Sequence, residues 1–473
     1  MFRARVPDRK PQVNTRTIMT RKYRRFALIL VAASSLIGLL ASAPSAAAQS
    51  SEAQPIPFSV VPINVAVNDL VFDPFQQKIY FALPSSAGPV FGNTIVGLDT
   101  QTGTVGPVAL TGSEPNRLAI SDDGLFLYVG LSGANSVQRF HLPDLKPDIS
   151  FSLGSDSFLG PLFARDIQVM PGNSHSVAVA RMYKNLSPSS AGIAIFDDGV
   201  ERPNTTPFFA PFDSIQFGRN DSTLYAYNSE TSGLDFYQVS VDSSGLTLGS
   251  HVGGLIAGFN SNIHFDWGTG LVYGDDGGAI DPVALTLIGT YSARGVMIPD
   301  SGVGRAFFVT SDFSTGDTQI QAFDQGRFTP LGAIDLGNVI PVASSAASFI
   351  RWGPTGLAFR TTGPTGQVFL LVSTLVLPPS STPNPAPVAT ALLPSNASVG
   401  GPNLGMIVQG SNFALGSTVL WNGRVRTTRF LDSNYLLAWI PTTDLVSKGS
   451  ARVSVFTPAP AGGTSAPLSF TIK

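Results

Sequence analysis

The amino-acid sequence predicts an all-β protein in which a unit of short strands repeats about seven times ahead of a smaller C-terminal domain. Composition supports this class, because Asp outnumbers Glu by 27 to 4 and Arg outnumbers Lys by 22 to 7. Two good helix formers are therefore scarce, and turn-forming residues are common. The second observation is that similar apolar tetrapeptides recur along the chain, each followed by a turn.

The clearest copy of the unit is LAISDDGLFLYVGLSGANSVQRFHL at residues 118–142, in which turns rich in Asp, Gly and Asn separate three apolar runs. The first run has counterparts whose starts lie 48, 49, 48, 48, 33 and 54 residues apart. These predicted first strands begin at Leu70, Leu118, Ile167, Ile215, Ile263, Val296 and Ile350.

A period of about 40 to 50 residues with several short strands predicts a β-propeller, because each sheet buries both faces only against its neighbours. We assign residues 60–376 to this domain and expect seven blades, although the less regular fifth and sixth copies leave six or eight open. Tandem β-sandwiches are the alternative, but they would not show seven similar starts.

Pro115 followed by LAISDDG, LYVG and NSVQRF resembles the YVTN-type surface-layer propeller repeat. The resemblance covers the second unit well and the others loosely. The same group of repeats is similar to propeller lactonases, which implies an enzymatic alternative for this chain.

A Pro/Ser-rich stretch at residues 377–387 predicts a stiff linker. Beyond it, residues 388–473 resemble the IPT/TIG module, which implies an immunoglobulin-like β-sandwich without catalysis. The resemblance rests on Pro394, Gly400, Gly410, Asn412, Phe413, Trp421, Asn422, Gly423, Ile440, Pro441, Asp444, Leu445, Gly462, Gly463 and Phe470. Asn422-Gly423 between two β-rich runs predicts a hairpin, Gly410 a turn after a strand, and Phe413 and Trp421 the core.

Residues 1–48 predict a cleaved export signal, because basic residues precede the apolar run at 26–41 and a small-residue stretch places Ala46 and Ala48 at an AxA site. The translation start is either Met1 or Met19, and an uncleaved membrane anchor is the alternative. We expect the mature chain to have no membrane span and to lie outside the cell, on its surface or in a periplasm. The sequence contains no Cys, which excludes disulfides and thiolate metal sites.

Without residues 1–48 the chain has 20 basic and 30 acidic residues, a balance that argues against a nucleic-acid partner. Residues 49–383 contain 14 basic and 28 acidic residues, and residues 384–473 contain 6 and 2. This asymmetry suggests that the two domains dock weakly through opposite charge.

The sequence contains no phosphate-binding loop, zinc-protease motif or nucleophile elbow, and its four histidines, His141, His175, His251 and His264, lack ligand spacing. We therefore expect no metal, no cofactor and no catalytic residue, and we interpret the Asp-Asp-Gly repeats as turns.

The polar residues that precede the first strands should gather at one mouth of the channel: Asp69, Arg117, Asp166, Ser214 and Asn262, with Arg165 and Arg294 close by. Either they form a ligand site, or they only satisfy backbone groups and water. Gln168, Gln216, His264 and Arg351 recur in phase within the strands and should bond between blades.

These observations favour an exported, non-enzymatic binding or adhesion protein, a monomer whose partner is a protein or carbohydrate at the cell surface. The alternative is a propeller enzyme, a lactonase-like hydrolase or a carbohydrate lyase, with Asp69 and Asp166 as the base or the metal-binding carboxylates at the channel mouth. A third possibility is a structural component of a surface layer, which would require self-association.

Overall fold

The computed structural model describes residues 56–473 except 208–210, 312–316, 338, 341–345, 354, 363–366, 377–383, 415, 427 and 458–460. The predicted export signal at 1–48 and most of the predicted linker at 377–387 lie outside the described residues. The described chain is nearly all β, and its helical elements are three short 3₁₀ turns, Ser85–Ala87, Thr374–Val376 and Thr442–Asp444. No helix among the described residues is long and apolar enough to cross a membrane.

Between Phe58 and Ser373, the described strands form seven antiparallel sheets, named here I to VII in chain order. Sheet I comprises Asp69–Asp73, Lys78–Leu83, Thr94–Asp99 and Val105–Leu110. Sheet II comprises Pro115–Ile120, Phe126–Leu131, Ser136–His141 and Lys146–Ser152. Sheet III comprises Ser155–Asp156, Gly160–Met170, Asn173–Tyr183, Ser190–Asp197 and Val200–Glu201. Sheet IV comprises Ser214–Phe217, Thr223–Tyr227, Asp235–Asp242 and Gly245–Gly253. Sheet V comprises Ile263–Phe265, Val272–Gly274, Gly278–Asp281 and Thr286–Thr290. Sheet VI comprises Val296–Asp300, Arg305–Ser311, Thr318–Asp324 and Pro330–Asp335. Sheet VII comprises Ala346–Trp352, Gly356–Thr361, Val368–Ser373 and Phe58–Ile63.

The seven sheets form a closed ring. The first full-length strand of each sheet, called its inner strand, contacts the inner strands of the sheets on both sides, and sheet VII contacts sheet I in the same way. The strand Phe58–Ile63 completes sheet VII by pairing antiparallel with Val368–Ser373, so the two ends of this region are hydrogen-bonded together. The sequence repeat begins at Leu70 and gives no sign of this pairing.

Each pair of neighbouring sheets shares an apolar cluster, including the pair that closes the ring. Between sheets II and III, for example, Phe126 and Tyr128 pack with Ile167 and Val179. All six residues of the strand Phe126–Leu131 are buried, because this central strand is covered on both faces. This explains why the second strands read as continuous apolar runs rather than alternating ones.

The excess of Asp over Glu follows from the hairpin turns. Asp73, Asp99, Asp281 and Asp324 each accept backbone N–H bonds from residues two and three positions later, at 2.8 to 3.1 Å. The short Asp side chain reaches these groups within its own turn. In the Asp-Asp-Gly repeats, Asp123 accepts the Leu125 N–H and Asp276 accepts the Gly278 N–H within their own turns, whereas Asp122 accepts the N–H of Gly172 in the next sheet.

The C-terminal strands form two sheets around a separate core. The first sheet has the order Val388–Leu393, Leu404–Ser411, Tyr435–Ile440, Thr428–Phe430, and the second has the order Asn396–Ala397, Leu468–Ile472, Gly449–Thr457, Thr418–Trp421, Arg424–Val425. Gly463–Thr464 also pairs with Gly449–Thr457. Trp421 and Phe413 lie in the core between the sheets, as the sequence predicts.

The Asn-Gly signal also matches the structure. Trp421 pairs with Arg424, and Asn422 and Gly423 form the two-residue turn with φ of 49° and 79°. Gly410 serves a different purpose from the predicted one: it lies inside the strand Leu404–Ser411, where a Cβ would collide with the carbonyl oxygen of Val388. Close approach of two strands, not a turn, requires glycine there.

Candidate functional site

The ring has two chemically different ends. Towards the starts of the inner strands, Asp69, Asp166 and Ser214 of sheets I, III and IV accept backbone N–H bonds from the inner strand of the next sheet. At the opposite end, each inner strand turns into the second strand of its sheet. We call these the strand-start end and the turn end.

At the strand-start end, three of the predicted site residues bond each sheet to the next. Asp69 accepts the Leu118 N–H at 3.0 Å, Asp166 accepts the Ile215 N–H at 2.9 Å, and Ser214 accepts the Ile263 N–H at 3.1 Å. In each case the donor lies 49 residues after the acceptor, so the repeat length sets these bonds. They satisfy backbone donors at the seams between sheets.

The predicted residues Asn262 and Arg294 behave differently from these three. Asn262 donates its N–H and its Nδ2 to Asp275, at 3.0 and 2.9 Å. Asp275 in turn accepts the N–H of Met297 at 3.0 Å, so Asp275 makes the bond between sheets V and VI. Arg294 is exposed and has no hydrogen-bond or ion-pair partner among the described residues.

Three arginines converge at the same end, and we call Arg117, Arg165 and Arg360 the arginine triad. Arg117 Nε donates to the carbonyl oxygen of Arg165 at 2.7 Å. Arg360, on the second strand of sheet VII, donates its Nε to Ser348 Oγ at 3.2 Å. The three guanidiniums are close enough for their charges to repel, because Arg117 acts on both Arg165 and Arg360.

Arg360 is connected to Asp69 through Ser348. Ser348 Oγ donates to Asp69 Oδ1 at 2.7 Å, while the other oxygen of Asp69 accepts Leu118 N–H. Ser348 sits at a bulge in its strand with φ of 35°, a left-handed conformation that is unusual for serine. Such backbone strain concentrates at functional sites.

The triad lacks ionic partners. None of its three members forms an ion pair with a carboxylate among the described residues, whereas Arg139, Arg202 and Arg351 elsewhere in the ring each have a carboxylate oxygen within 2.8 Å. Burial lowers the pKa of Arg165 and of Arg360, and the positive charge of Arg117 lowers both further. Within the described residues, the guanidinium of Arg165 donates no hydrogen bond, and Arg117 and Arg360 each use only Nε.

The carboxylates beside the triad are already engaged. Both oxygens of Asp69 accept hydrogen bonds, and so do both oxygens of Asp166, from Ile167 N–H at 2.8 Å and from Ile215 N–H. Burial raises the pKa of Asp166, although Arg117 and Arg165 oppose the shift. These groups hold the sheets together and leave the arginine N–H donors unused.

The C-terminal domain covers the turn end. Trp439 donates its Nε1 to the carbonyl oxygen of Asp122 at 2.6 Å, and its ring meets Phe75 edge-on with centroids 4.6 Å apart. Across the same face, Tyr435 contacts Trp267 with centroids 5.1 Å apart. These contacts involve turns of sheets I, II and V, so the domain spans several sheets.

A cavity of about 670 Å³ lies between the inner strands and the first C-terminal sheet. Its walls include the inner-strand residues Ile120, Val169, Gln216, His264 and Ile298, together with Leu393, Ile407 and Leu437 of the C-terminal domain. Asp122 is exposed beside this cavity, where partial desolvation and the charge of Asp123 raise its pKa to about 6. The C-terminal domain therefore lies across the turn end, with this partly open cavity between it and the inner strands.

The closed ring of sheets agrees with known structures. The β-propeller domain of Cps50 (Swd1) from Myceliophteria thermophila matches with a TM-score of 0.51 and 15% identity, covering 67% of this chain and 100% of that one. The chain contains a β-propeller. U3-55K also matches, with a TM-score of 0.47, 10% identity, and 66% and 98% of the two chains covered. No known protein family matches the sequence, and no curated protein does.

Most of the propeller's strand-start mouth was predictable, but Arg360 was not. It lies on a second strand opposite Ala347, at the register position that Leu131 and Arg181 occupy in sheets II and III. Because this position is Leu in one sheet and Arg in another, Arg360 does not stand out in the sequence. Of the in-phase residues, Arg351 does bond between sheets, to Asp300 at 2.8 Å, while His264 bonds to Asp275 at the end of a strand in its own sheet.

Proposed function

We propose that this chain is an exported binding protein that takes up its ligand at the strand-start mouth of a seven-bladed β-propeller. The observation that carries the proposal is the arginine triad, whose guanidinium donors are free in a region where the neighbouring carboxylates are fully used. Polar groups converging at the mouth of a fold are the usual place for a ligand. Seven sheets sharing seven clusters support the blade number.

We further propose that residues 388–473 are an IPT/TIG immunoglobulin-like domain that closes the turn end of the channel. Two sheets around a core containing Trp421 and Phe413 support this assignment. Its contacts through Trp439 and Tyr435 support a lid fixed to the propeller rather than a free adhesive arm. Ligand then has access from the strand-start end.

Binding is favoured over catalysis because Asp69 and Asp166, the two bases that the enzymatic alternative needs, hold the sheets together. Both oxygens of each carboxylate already accept hydrogen bonds, so neither carboxylate is free to take a proton from a substrate. Export, and a partner at the cell surface, rest on the predicted signal at residues 1–48 and on the acidic balance of the mature chain.

The test is a thermal-shift screen of residues 49–473 against sugars, lactones, polysaccharide fragments and divalent cations, with turnover of the lactones followed in parallel. A ligand at 100 times its dissociation constant should stabilise the protein by about 2.7 kcal/mol. We expect stabilisation without turnover. Turnover that disappears when Asp69 and Asp166 are both replaced by Asn would favour the enzyme instead.

A further inference from the structure

The arginine triad has the properties of an unfilled anion site. Its members come from three different sheets, VII, II and III, and meet at the strand-start mouth through Arg117 Nε to Arg165 O and Arg360 Nε to Ser348 Oγ. Guanidinium groups that are partly desolvated and close to one another need acceptors. The protein supplies none beyond one carbonyl and one hydroxyl among the described residues.

We propose that the arginine triad binds the carboxylate group of a sugar acid. This inference rests on the proposed function, whose ligand class it names. The planar carboxylate matches the two parallel N–H donors of a guanidinium, and the terminal nitrogens of Arg117 and Arg360 and the whole guanidinium of Arg165 are available for such a bond.

The surrounding carboxylates favour a singly charged anion over a doubly charged one. Asp69 and Asp166 adjoin the triad, and Asp213 and Glu230 also act on Arg165. Asp213 and Glu230 are each held by a serine, through Ser229 N–H at 2.7 Å and Ser189 N–H at 2.8 Å, so neither is free to pair with an arginine. Their negative potential disfavours a doubly charged phosphate more than a carboxylate.

The remainder of the mouth suits a ligand with hydroxyl groups. Ser348 and Asn262 lie near the starts of two inner strands, are partly exposed, and carry a hydroxyl and an amide group. A sugar ring can exchange hydrogen bonds with such groups while its carboxylate binds the triad. An acidic peptide has the carboxylates but not the hydroxyls.

The test uses the mature chain and titration calorimetry with galacturonate, trigalacturonate, galactose, inorganic phosphate and hexaglutamate. Arg165→Gln is the decisive variant, because the Arg165 side chain makes no hydrogen bond and its loss leaves the bonds between sheets intact. Arg327→Gln is the matched control, an exposed arginine in the hairpin turn between the two outer strands of sheet VI. Unchanged circular dichroism and melting temperature would verify that both variants fold.

We expect Arg165→Gln to weaken galacturonate binding by about 10-fold or more, the usual scale for a hydrogen bond to a charged group, and Arg327→Gln to leave it within about 2-fold. Trigalacturonate binding more tightly than galacturonate would identify a polymer as the source. Failure of galacturonate to bind the wild-type chain, equal affinity for galactose, or tighter binding of phosphate or hexaglutamate would each overturn the inference. A ligand found in the wider screen that Arg165→Gln still binds would overturn it too, while leaving the proposed binding function intact.

Discussion

Replacing Trp439 with Ala should release the C-terminal domain from the propeller. Trp439 is 5% exposed and belongs to the first C-terminal sheet, yet its Nε1 donor and its ring edge are both used by the propeller, at Asp122 and Phe75. Truncating a buried tryptophan costs about 3 to 5 kcal/mol. Because about 1.4 kcal/mol is a factor of ten, the docking equilibrium should shift by two to three powers of ten.

The conservative variant separates the two contributions. Trp439→Phe keeps an aromatic ring against Phe75 and loses only the hydrogen bond to the Asp122 carbonyl, which costs about 1 kcal/mol, or roughly fivefold in docking. Phe158→Ala is the control, since Phe158 is 95% exposed on the propeller. Small-angle scattering should show a larger radius of gyration for Trp439→Ala, and proteases should cleave within residues 377–387 more readily.

The interface also predicts how docking responds to salt. Within the described residues, no ion pair joins the two domains; Arg219 lies over the rings of Trp267 and Tyr435, 5.4 Å from each centroid. The opposite net charges of the two domains therefore do not form this contact, and scattering profiles should be alike at low and high salt.

A Trp439→Ala chain that stays folded with an unchanged radius of gyration and cleavage rate would refute the reasoning about docking through Trp439.

Three further predictions concern stability and processing. Asp69→Ala should lower stability by about 1 to 3 kcal/mol in thermal unfolding, because it leaves the Leu118 N–H without an acceptor, while Asp221→Ala on the surface should not. Partial desolvation and the charge of Asp123 raise the pKa of Asp122 to about 6, so Asp122 binds its proton more tightly in the folded chain than in the unfolded chain, and stability should fall as pH rises from about 4 through 6. Asp122→Asn should remove that part of the pH profile, and an unchanged profile would contradict the assignment. If the export signal is cleaved after Ala48, mass spectrometry of secreted protein should find Gln49 at the N-terminus, and a retained apolar run would indicate the anchor.

The ring of sheets could be predicted because its signals are local. The predicted first strands at Ile263 and Val296 begin where the structure begins them, and those at Leu70 and Ile215 begin one residue late. Turn residues and buried central strands mark each unit within about 50 residues of chain. The strand Phe58–Ile63 could not be predicted, because it pairs with a segment about 310 residues away and belongs to no local repeat.

The candidate site could be predicted only in part from the sequence, for the same reason. Arg117 and Arg165 precede or open inner strands and could be grouped by repeat position, but Arg360 comes from the far strand of another sheet. The structure also separates the roles of residues that look alike in sequence. Asp69 and Asp166 bond sheet to sheet, and Arg294 stays exposed, although all three occupy similar places in the repeat.

The bonds between sheets explain how a mouth rich in both charges keeps its arginines free. An isolated carboxylate beside Arg117 or Arg360 would form an ion pair, as Asp300 does with Arg351 at the turn end of the inner strands. At the strand-start end, the closed ring brings backbone N–H groups to Asp69 and Asp166 first, and each bond follows from the 49-residue offset between sheets. Because the repeat positions these backbone N–H groups, the two carboxylates hold neighbouring sheets together, and the guanidiniums remain available to bind a ligand. Replacing Asp69 would then weaken the seam and also leave Ser348, which positions Arg360, without its acceptor.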